Sequence, residues 1–157
     1  MSSKKILIIG ACGQIGIELT AALRKKYGRD AVIASDVRKE PHPNMVDGPY
    51  LTLDALDATG ISNAVEAHHI TDVYLLAALL SANAEKDPLF AWKLNMEGLF
   101  HVLELGKAKK IERIFWPSSI AVFGPSTPRH QTPQNTVMEP TTVYGISKLA
   151  GERWCEY

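Results

Sequence analysis

The sequence predicts an α/β protein built on a doubly wound parallel sheet, which carries helices on both of its faces. Three observations lead to this prediction. Short apolar, β-branched runs alternate with helical patterns along the whole chain, a glycine-rich turn follows the first run, and an acidic residue ends the second. Parallel strands give this alternation because each parallel pair needs a long crossover connection, which is usually a helix.

The composition limits what the chain can bind. Its 157 residues suffice for one domain with a substantial core. Its 17 acidic and 17 basic residues balance, so no bulk charge attracts nucleic acid or an anionic membrane, and we expect neither partner. The apolar run before Gly10 is too short for a signal peptide or a membrane span, which favours a cytoplasmic protein. Cys12 and Cys155 form no metal-binding or disulfide pattern, and we expect no metal.

The first three elements follow one another closely. Residues 5–9 form an apolar run that ends in glycine, which predicts a buried strand. From Gln14 the apolar residues recur at helical spacing to about Tyr27, and Gly28 is a typical stop signal. A second strand is predicted at residues 31–35, directly before an aspartate.

Three glycines between the first strand and the first helix have separate predicted roles. Gly10 permits a tight turn, Gly13 allows a phosphate group to approach the backbone, and Gly16 allows the helix to pack close to the strand. The N–H groups at the helix start, at Gln14 and Ile15, suit a pyrophosphate, as does the positive end of the helix dipole. This turn is therefore predicted to bind a dinucleotide.

An acidic residue at the tip of the second strand makes that prediction more specific. Asp36 lies twenty residues beyond Gly16 and can accept hydrogen bonds from the hydroxyls of the adenosine ribose. Its charge would repel a 2′-phosphate, so the sequence favours NAD over NADP. Arg38 is the one residue nearby that would suit NADP, and we interpret it as a surface arginine.

The middle of the chain continues the alternation of strands and helices. Residues 50–53 predict a third strand, and residues 59–67 predict a modest helix. Residues 73–78 are the most apolar stretch and predict a strand that is buried on both faces. Residues 79–82 are then predicted as a loop at the carboxyl edge of the sheet, where ligands of open α/β sheets bind.

The next elements have clear boundary signals. Asp87 and Pro88 predict the cap and first turn of a long helix that extends to about Lys110. The fifth strand is predicted at residues 114–116. Residues 124–139 contain three prolines and several small polar residues, which predicts an excursion over the surface.

The last helix, predicted to open at Pro140, carries Tyr144 and Lys148 four residues apart. This spacing puts both side chains on one helix face, one turn apart. A lysine ammonium that close favours the tyrosine phenolate, which makes the pair a candidate base. An isolated pair of this kind is usually a solvated helix face. The dinucleotide turn favours the catalytic interpretation, as does Ser119 at the end of the fifth strand, whereas Ser118 is interpreted as structural.

These motifs, in this order and at these separations, resemble those of the extended short-chain dehydrogenase/reductase family along the whole chain. The resemblance implies a Rossmann fold that binds NAD, with Ser119, Tyr144 and Lys148 as catalytic residues. It also implies that Asn95 steadies the central sheet. The implied substrate contacts are Ser81, Ser119 and Tyr144. The implied cofactor-binding residues are Gly10, Gly13, Gln14, Ile15, Gly16, Asp36, Asp54, Ala55, Leu76, Ala77, Ala78, Asn95, Tyr144 and Lys148.

Residues 115–125 and 138–156 are similar to one branch of that family, the short-chain-type L-threonine 3-dehydrogenases, and so is the loop at 79–82. This resemblance implies oxidation of the 3-hydroxyl of L-threonine by NAD to 2-amino-3-oxobutanoate, with Tyr144 as the base. Nucleotide-sugar epimerases and dehydratases of the family share the catalytic residues and are an alternative. A non-catalytic fragment that binds NAD or dimerises is the second alternative.

Family members normally continue for a comparable length, with further strands and a lobe that closes over the substrate. We therefore expect residues 1–157 to be a truncated NAD-binding domain that lacks the substrate lobe and turns over threonine poorly or not at all. The fifth strand would then be a bare edge of the sheet. In this family the helix from Asp87 and the helix of Tyr144 occupy positions that pair across dimers, which implies a homodimer.

Overall fold

A computed structural model describes residues 4–157, which form five strands and five α-helices. Single turns of 3₁₀ helix occur at Arg29–Ala31, Pro43–Met45 and Ile120–Val122. In chain order the main elements are β1 (Ile6–Ile9), α1 (Gln14–Tyr27), β2 (Val32–Asp36), β3 (Tyr50–Thr52), α2 (Ala58–Ala67), β4 (Asp72–Leu75), α3 (Ser81–Ala84), α4 (Pro88–Lys107), β5 (Arg113–Phe115) and α5 (Val143–Glu156).

The described chain divides into two compact units. The first unit consists of the described residues up to Ala77 together with Glu97–Trp116, and it contains all five strands. The second unit consists of Ala78–Met96 and Pro117–Tyr157, and it contains α3 and α5. Helix α4 contributes residues to both units.

The first unit is built on a parallel sheet with the strand order β3-β2-β1-β4-β5. This order confirms the predicted parallel sheet. The order reverses between β1 and β4, which is where open α/β sheets bind their ligands. Within the described sheet β5 lies at one edge, as predicted.

Strand β1 is the centre of the core, and all four of its residues are fully buried. Its apolar run is continuous because neighbouring strands and both layers of helices cover it. Ile6 and Ile8 pack with Val32, Ala34 and Leu23 of α1 on one face. Parallel crossovers are right-handed, so the return from β3 to β4 puts α2 on the opposite face.

The fourth strand is shorter than the predicted 73–78. It ends at Leu75 because β1 ends one residue before the turn at Gly10 and offers no further ladder partner. The Ile9 carbonyl accepts the N–H groups of both Leu76 and Ala77, at 2.8 and 3.0 Å. Residues 76–78 therefore leave the sheet at its switch point, while the other strand boundaries agree with prediction within two residues.

The predicted loop at 79–82 is wrong in part, because α3 begins at Ser81. The Leu80 carbonyl accepts the N–H groups of Asn83 and Ala84, at 3.0 and 2.8 Å. Ala84 is fully buried, so packing stabilises this single turn, which is too short to be stable by its own propensity.

Helix α4 begins as predicted but ends earlier. The Asp87 carboxylate accepts the Phe90 N–H at 3.1 Å, and Pro88 occupies the first helical position. The helix ends at Lys107, not at Lys110, because Lys109 adopts a φ of 56°. Its N–H bonds the Gly106 carbonyl at 2.9 Å and the next N–H bonds Leu105 at 3.0 Å, which is a Schellman termination with a lysine in the position that glycine prefers. Across the described residues no helix is long and apolar enough to cross a membrane.

A buried arginine fixes the connection between β2 and β3. The Arg24 guanidinium donates to the carbonyls of Met45 and Pro49, at 2.8 and 2.7 Å, and to the Asp47 carboxylate at 2.8 Å. A side chain at Gly48 would approach this guanidinium to 2.6 Å. The Pro49 carbonyl also accepts the Ala34 N–H at 3.1 Å, so Arg24 sets the position from which β3 begins.

Candidate active site

The glycine turn lies in the first unit, at the carboxyl end of β1. Gly10 has a φ of 90°, and a Cβ there would lie 2.6 Å from the Ala77 nitrogen. A Cβ at Gly16 would lie 2.5 Å from the Ala11 carbonyl oxygen. Both glycines are therefore required by the fold itself, Gly10 for the turn against Leu76 and Ala77, and Gly16 for the close packing of α1.

Gly13 is different, because the protein leaves room for a side chain there. The nearest atom to a Cβ at Gly13 would be the Gly10 carbonyl oxygen, at 3.4 Å. Gly13 caps α1 without a side-chain hydrogen bond, and the first turn of the helix has no acidic residue. Gln14 is exposed, and Ile15 is 62% exposed although it is a large apolar residue. Open backbone at a helix N-terminus fits the pyrophosphate of a dinucleotide.

The carboxylate of Asp36 points back to this turn. Its Oδ2 accepts the Cys12 N–H at 3.0 Å, and its Oδ1 accepts the Arg38 N–H at 3.2 Å. The side chain is partly exposed, and each oxygen can accept a further hydrogen bond. The structure thus brings together the acid and the glycine turn that the sequence predicts as one dinucleotide site.

Asp54 and Ala55, which the family resemblance implies contact the adenine of the cofactor, differ in burial. Asp54 is exposed, and its carboxylate accepts the Leu56 N–H at 2.9 Å. Ala55 is buried against Gly98, and its carbonyl lies 3.1 Å from His101 Nδ1. Only Asp54 presents its side chain to solvent, and the adenine contact of this pair stays a prediction.

In the second unit, two side chains fix the start of α5. Thr142 Oγ1 accepts the Gly145 N–H at 3.0 Å, which is the usual N-cap bond. The Glu85 carboxylate accepts the Val143 N–H at 2.8 Å, and a carboxylate at a helix N-terminus also suits the helix dipole. The helix therefore begins at Val143, three residues later than predicted, and Tyr144 lies in its first turn.

The ring of Tyr144 is held in an apolar pocket. The residue is 8% exposed and packs with Ala84 of α3 and Ala91 of α4. Leu79, Ala121 and Val143 are partly buried and pack against this cluster. Within residues 4–157 the Tyr144 hydroxyl makes no hydrogen bond to the protein, so it is available to a ligand.

Lys148 lies one helical turn further on and is 3% exposed. Its Nζ donates a hydrogen bond to the Pro117 carbonyl at 2.6 Å and lies 5.7 Å from the centre of the Tyr144 ring. Burial lowers the pKa of Lys148 from 10.5 to about 8. The ammonium form still prevails at neutral pH, which places a positive charge beside Tyr144.

Ser119 caps the 3₁₀ turn at Ile120–Val122, and its Oγ accepts the Ala121 N–H at 3.2 Å. This turn packs directly on α5. A Cβ at Gly145 would lie 2.2 Å from the Ala121 carbonyl oxygen, so the absence of a side chain permits the contact. Ser119 is thereby held on the helix that carries Tyr144 and Lys148, while its hydroxyl proton remains available to a ligand.

Asn95 connects the segment after β4 to α5, and its implied role in steadying the central sheet stays a prediction. It exchanges two hydrogen bonds with the Leu79 backbone, at 2.9 and 3.2 Å, and donates to Ser147 Oγ at 3.2 Å. Ser147 donates in turn to the Tyr144 carbonyl at 2.7 Å. Asn95 is 3% exposed, and its amide connects the Leu79 loop to α5. Its contact with cofactor stays a prediction.

The two other serines singled out in the sequence also lie in this unit. Ser118 bonds the Glu152 carboxylate of α5, which agrees with its structural interpretation. Ser81 begins α3, whose Ala84 contacts the Tyr144 cluster. A substrate contact at Ser81 stays a prediction.

Sequence reasoning missed three residues that hold α5 in place. They are Glu85, Gly145 and Ser147. Gly145 could have been found, because a glycine inside a helix costs about 1 kcal/mol relative to alanine and often marks a close contact. Glu85 and Ser147 bond partners far away in sequence, at Val143 and Asn95, and carry no local signal.

The fold and these groups define a class of protein. The chain belongs to the NAD dependent epimerase/dehydratase family, which it matches over residues 6–157. NAD is the cofactor of this family, as predicted, and the resemblance to extended short-chain dehydrogenases/reductases is confirmed.

Individual proteins resemble the chain over almost its whole length. The chain is 61% identical to a partial-consensus L-threonine 3-dehydrogenase (E-change), with a TM-score of 0.92 over 97% of this chain and 48% of that one. It is 58% identical to a GalE-like L-threonine dehydrogenase from Cupriavidus necator in its holo form, with a TM-score of 0.93 over 97% and 49%. It is 48% identical to an uncharacterized epimerase/dehydratase of Staphylococcus saprophyticus, over 98% of this chain and 48% of the relative. The chain thus spans about half the length of these relatives.

Replacing Gly145 with alanine tests the contact between the Ser119 turn and α5. The added methyl would meet the Ala121 carbonyl, a backbone atom that cannot rotate away. We expect Gly145→Ala to lower the free energy of unfolding by about 1–3 kcal/mol, measured by urea denaturation. Gly98→Ala is the matched control, since its Cβ meets nothing closer than 3.4 Å. Equal stabilities of the two variants would contradict the proposed contact.

Burial of Lys148 predicts a pH dependence of stability. The folded state releases this proton near pH 8 and the unfolded state near 10.5, so the unfolded state binds more protons between these values. Stability due to Lys148 therefore increases as pH rises through that window. Relative to Lys148→Met, we expect the wild-type chain to gain on the order of 2 kcal/mol between pH 7.5 and 10. A constant difference in urea unfolding at the two pH values would refute the assignment.

Proposed function

We propose that the chain is the NAD-binding and catalytic part of an L-threonine 3-dehydrogenase, which oxidises the 3-hydroxyl of L-threonine to give 2-amino-3-oxobutanoate. The observation that carries the proposal is the buried Tyr144–Lys148 pair on α5. It occurs in a chain that is 61% and 58% identical to two L-threonine dehydrogenases.

The residues of the first unit fit NAD. The open backbone at Gly13, Gln14 and Ile15 would hold the pyrophosphate, and Asp36 would accept the hydroxyls of the adenosine ribose. When bound, NAD supplies the chemistry of accepting a hydride from the carbon that carries the hydroxyl group. The negative charge of Asp36 would disfavour a 2′-phosphate, which supports NAD as the cofactor.

The second unit supplies the base. Tyr144 as phenolate takes the proton of the substrate hydroxyl, and the Lys148 ammonium, 5.7 Å from the ring centre, stabilises the phenolate. The Pro117 carbonyl accepts a hydrogen bond from Lys148 Nζ and helps to hold it in place. Ser119 Oγ accepts the Ala121 N–H, and its single hydroxyl proton would be donated to the same substrate oxygen and orient it. Burial of the Tyr144 ring keeps the base in one position.

An activity assay on a chimaera tests this proposal. Residues 1–157 would be joined to the remaining half of the Cupriavidus necator enzyme, and NADH formation measured with L-threonine. We expect threonine-dependent NADH and a loss of 10² to 10⁴ in rate, an order-of-magnitude range, in Tyr144→Phe. Tyr27→Phe removes a hydroxyl from α1 of the first unit and should keep full activity.

Other outcomes would separate the alternatives. If the chimaera folds and binds NAD but forms no NADH from threonine, the threonine proposal is overturned. Conversion of a UDP-sugar without net NADH would support an epimerase. Near-normal turnover in Tyr144→Phe would remove Tyr144 as the base. NAD binding by residues 1–157 with no turnover in the chimaera would support a non-catalytic module.

We further propose that the second unit forms a homodimer through α4 and α5. Large apolar side chains are exposed on both helices, with Leu89 85%, Phe90 45% and Ile146 46% exposed, and exposed apolar surface of this kind marks interaction sites. Sedimentation equilibrium should show a dimer, which Leu89→Glu weakens at least tenfold, since a buried charge costs more than about 1.4 kcal/mol. Arg129→Glu introduces the same negatively charged side chain at an exposed residue outside both helices and is the control. A monomeric wild-type chain would refute the dimer.

A further inference from the structure

Four residues around the glycine turn form a closed ring of hydrogen bonds. The Cys12 N–H donates to Asp36 Oδ2 at 3.0 Å, and the Arg38 N–H donates to Asp36 Oδ1 at 3.2 Å. The Tyr50 hydroxyl donates to the Arg38 carbonyl at 2.6 Å. Cys12 Sγ lies 3.6 Å from the Tyr50 oxygen and closes the ring.

The direction of each bond in the ring follows from donor and acceptor chemistry. A tyrosine hydroxyl has one proton, and the Arg38 carbonyl can only accept, so Tyr50 donates there. The Cys12 thiol is therefore the donor in its contact with the Tyr50 oxygen. Burial and the bond to Cys12 raise the pKa of Tyr50, which keeps its hydroxyl protonated. Cys12 is itself 5% exposed.

The ring fixes the orientation of the Asp36 carboxylate. Each of its two oxygens accepts one backbone N–H, so rotation of the group would break both bonds. Each oxygen also keeps a lone pair for a ligand hydroxyl. Cys12 belongs to the glycine turn, Arg38 follows β2, and Tyr50 begins β3, so the ring connects these three segments around the Asp36 carboxylate.

The Tyr50 end of the ring is itself held firmly. The preceding residue, Pro49, accepts hydrogen bonds from the buried Arg24 at 2.7 Å and from the Ala34 N–H at 3.1 Å. Tyr50 pairs with Ala34 in the sheet. The phenol oxygen is thus held by β3, and the Arg38 backbone is attached to it by the hydrogen bond to the Arg38 carbonyl.

We infer that Tyr50 and the Cys12 thiol are positioning residues that hold Asp36 toward the adenosine ribose and thereby set the preference for NAD over NADP. The inference rests on the proposed binding of NAD at the glycine turn. A carboxylate held in one orientation bonds the ribose hydroxyls without first losing conformational freedom. The same fixed charge disfavours a 2′-phosphate, whereas a released carboxylate could turn away from it.

Titration of the 157-residue chain with NAD, NADP and ADP-ribose tests this inference, with calorimetry as the readout. In Tyr50→Phe the Arg38 carbonyl loses its donor and the thiol loses its acceptor. If Asp36 is no longer held in place, about 1 kcal/mol of binding free energy is lost. The dissociation constants of NAD and ADP-ribose should then both rise by about fivefold. NADP should bind no more weakly than to the wild-type chain, so the ratio of the two dissociation constants should fall by at least about fivefold.

Three variants separate positioning from a general structural effect. Cys12→Ala should reproduce the loss of selectivity, and Cys12→Ser, which keeps a hydrogen-bond donor, should restore most of it. Tyr27→Phe removes a hydroxyl that makes no hydrogen bond within residues 4–157 and should change nothing. Cys12→Ala also keeps the inference testable if Tyr50→Phe fails to fold.

The failures are distinguishable. Equal weakening of NAD and NADP in Tyr50→Phe, or an unchanged selectivity ratio, would overturn the positioning role alone. Absence of NAD and ADP-ribose binding to the wild-type chain would overturn the proposed cofactor site, and the inference with it. Loss of selectivity in Tyr50→Phe but not in Cys12→Ala would retain Tyr50 and remove the thiol.

Discussion

The first unit depends on how β1 ends. The Ile9 carbonyl accepts two N–H groups from the segment that leaves β4, while Gly10 turns away beneath the Ala77 nitrogen with a φ of 90°. These two features separate the chain paths after β1 and β4, which opens the switch point of the sheet. The same turn leads into α1 at Gly13, where the first backbone N–H groups of the helix are open to a ligand. A sheet built without this separation would have a core but no place for a ligand.

The second unit is organised by polar groups that are almost fully buried. Lys148 loses hydration, and its bond to the Pro117 carbonyl offsets part of that cost. Asn95 and Ser147 satisfy one another and the backbone around them, as buried polar groups must. Each bond contributes only about 1 kcal/mol to stability, but leaving one partner unpaired costs more. Such a network specifies a single position for Tyr144, which a purely apolar contact would not.

Local signals predicted most of the fold, and long-range partners decided the rest. Helix α1 was predicted with its observed bounds because Gly28 stops it within the same stretch of sequence. The end of α4 was not, because Lys109 adopts a conformation that its residue type disfavours. In the site, Tyr144 and Lys148 were visible through their helical spacing. Asn95 and Ser147 lie 52 residues apart, and no pattern in either segment indicates the other.

The three glycines of the turn are under two different evolutionary constraints, one on folding and one on ligand binding. Gly10 and Gly16 are enclosed by protein atoms, so any substitution there disturbs folding. Gly13 has free space and an ordinary backbone conformation, with a φ of −76°. A small side chain at Gly13 would leave a well-folded protein whose only defect is in ligand binding. Cellular quality control, which removes unstable chains, would therefore eliminate variants at the first two positions and overlook those at the third.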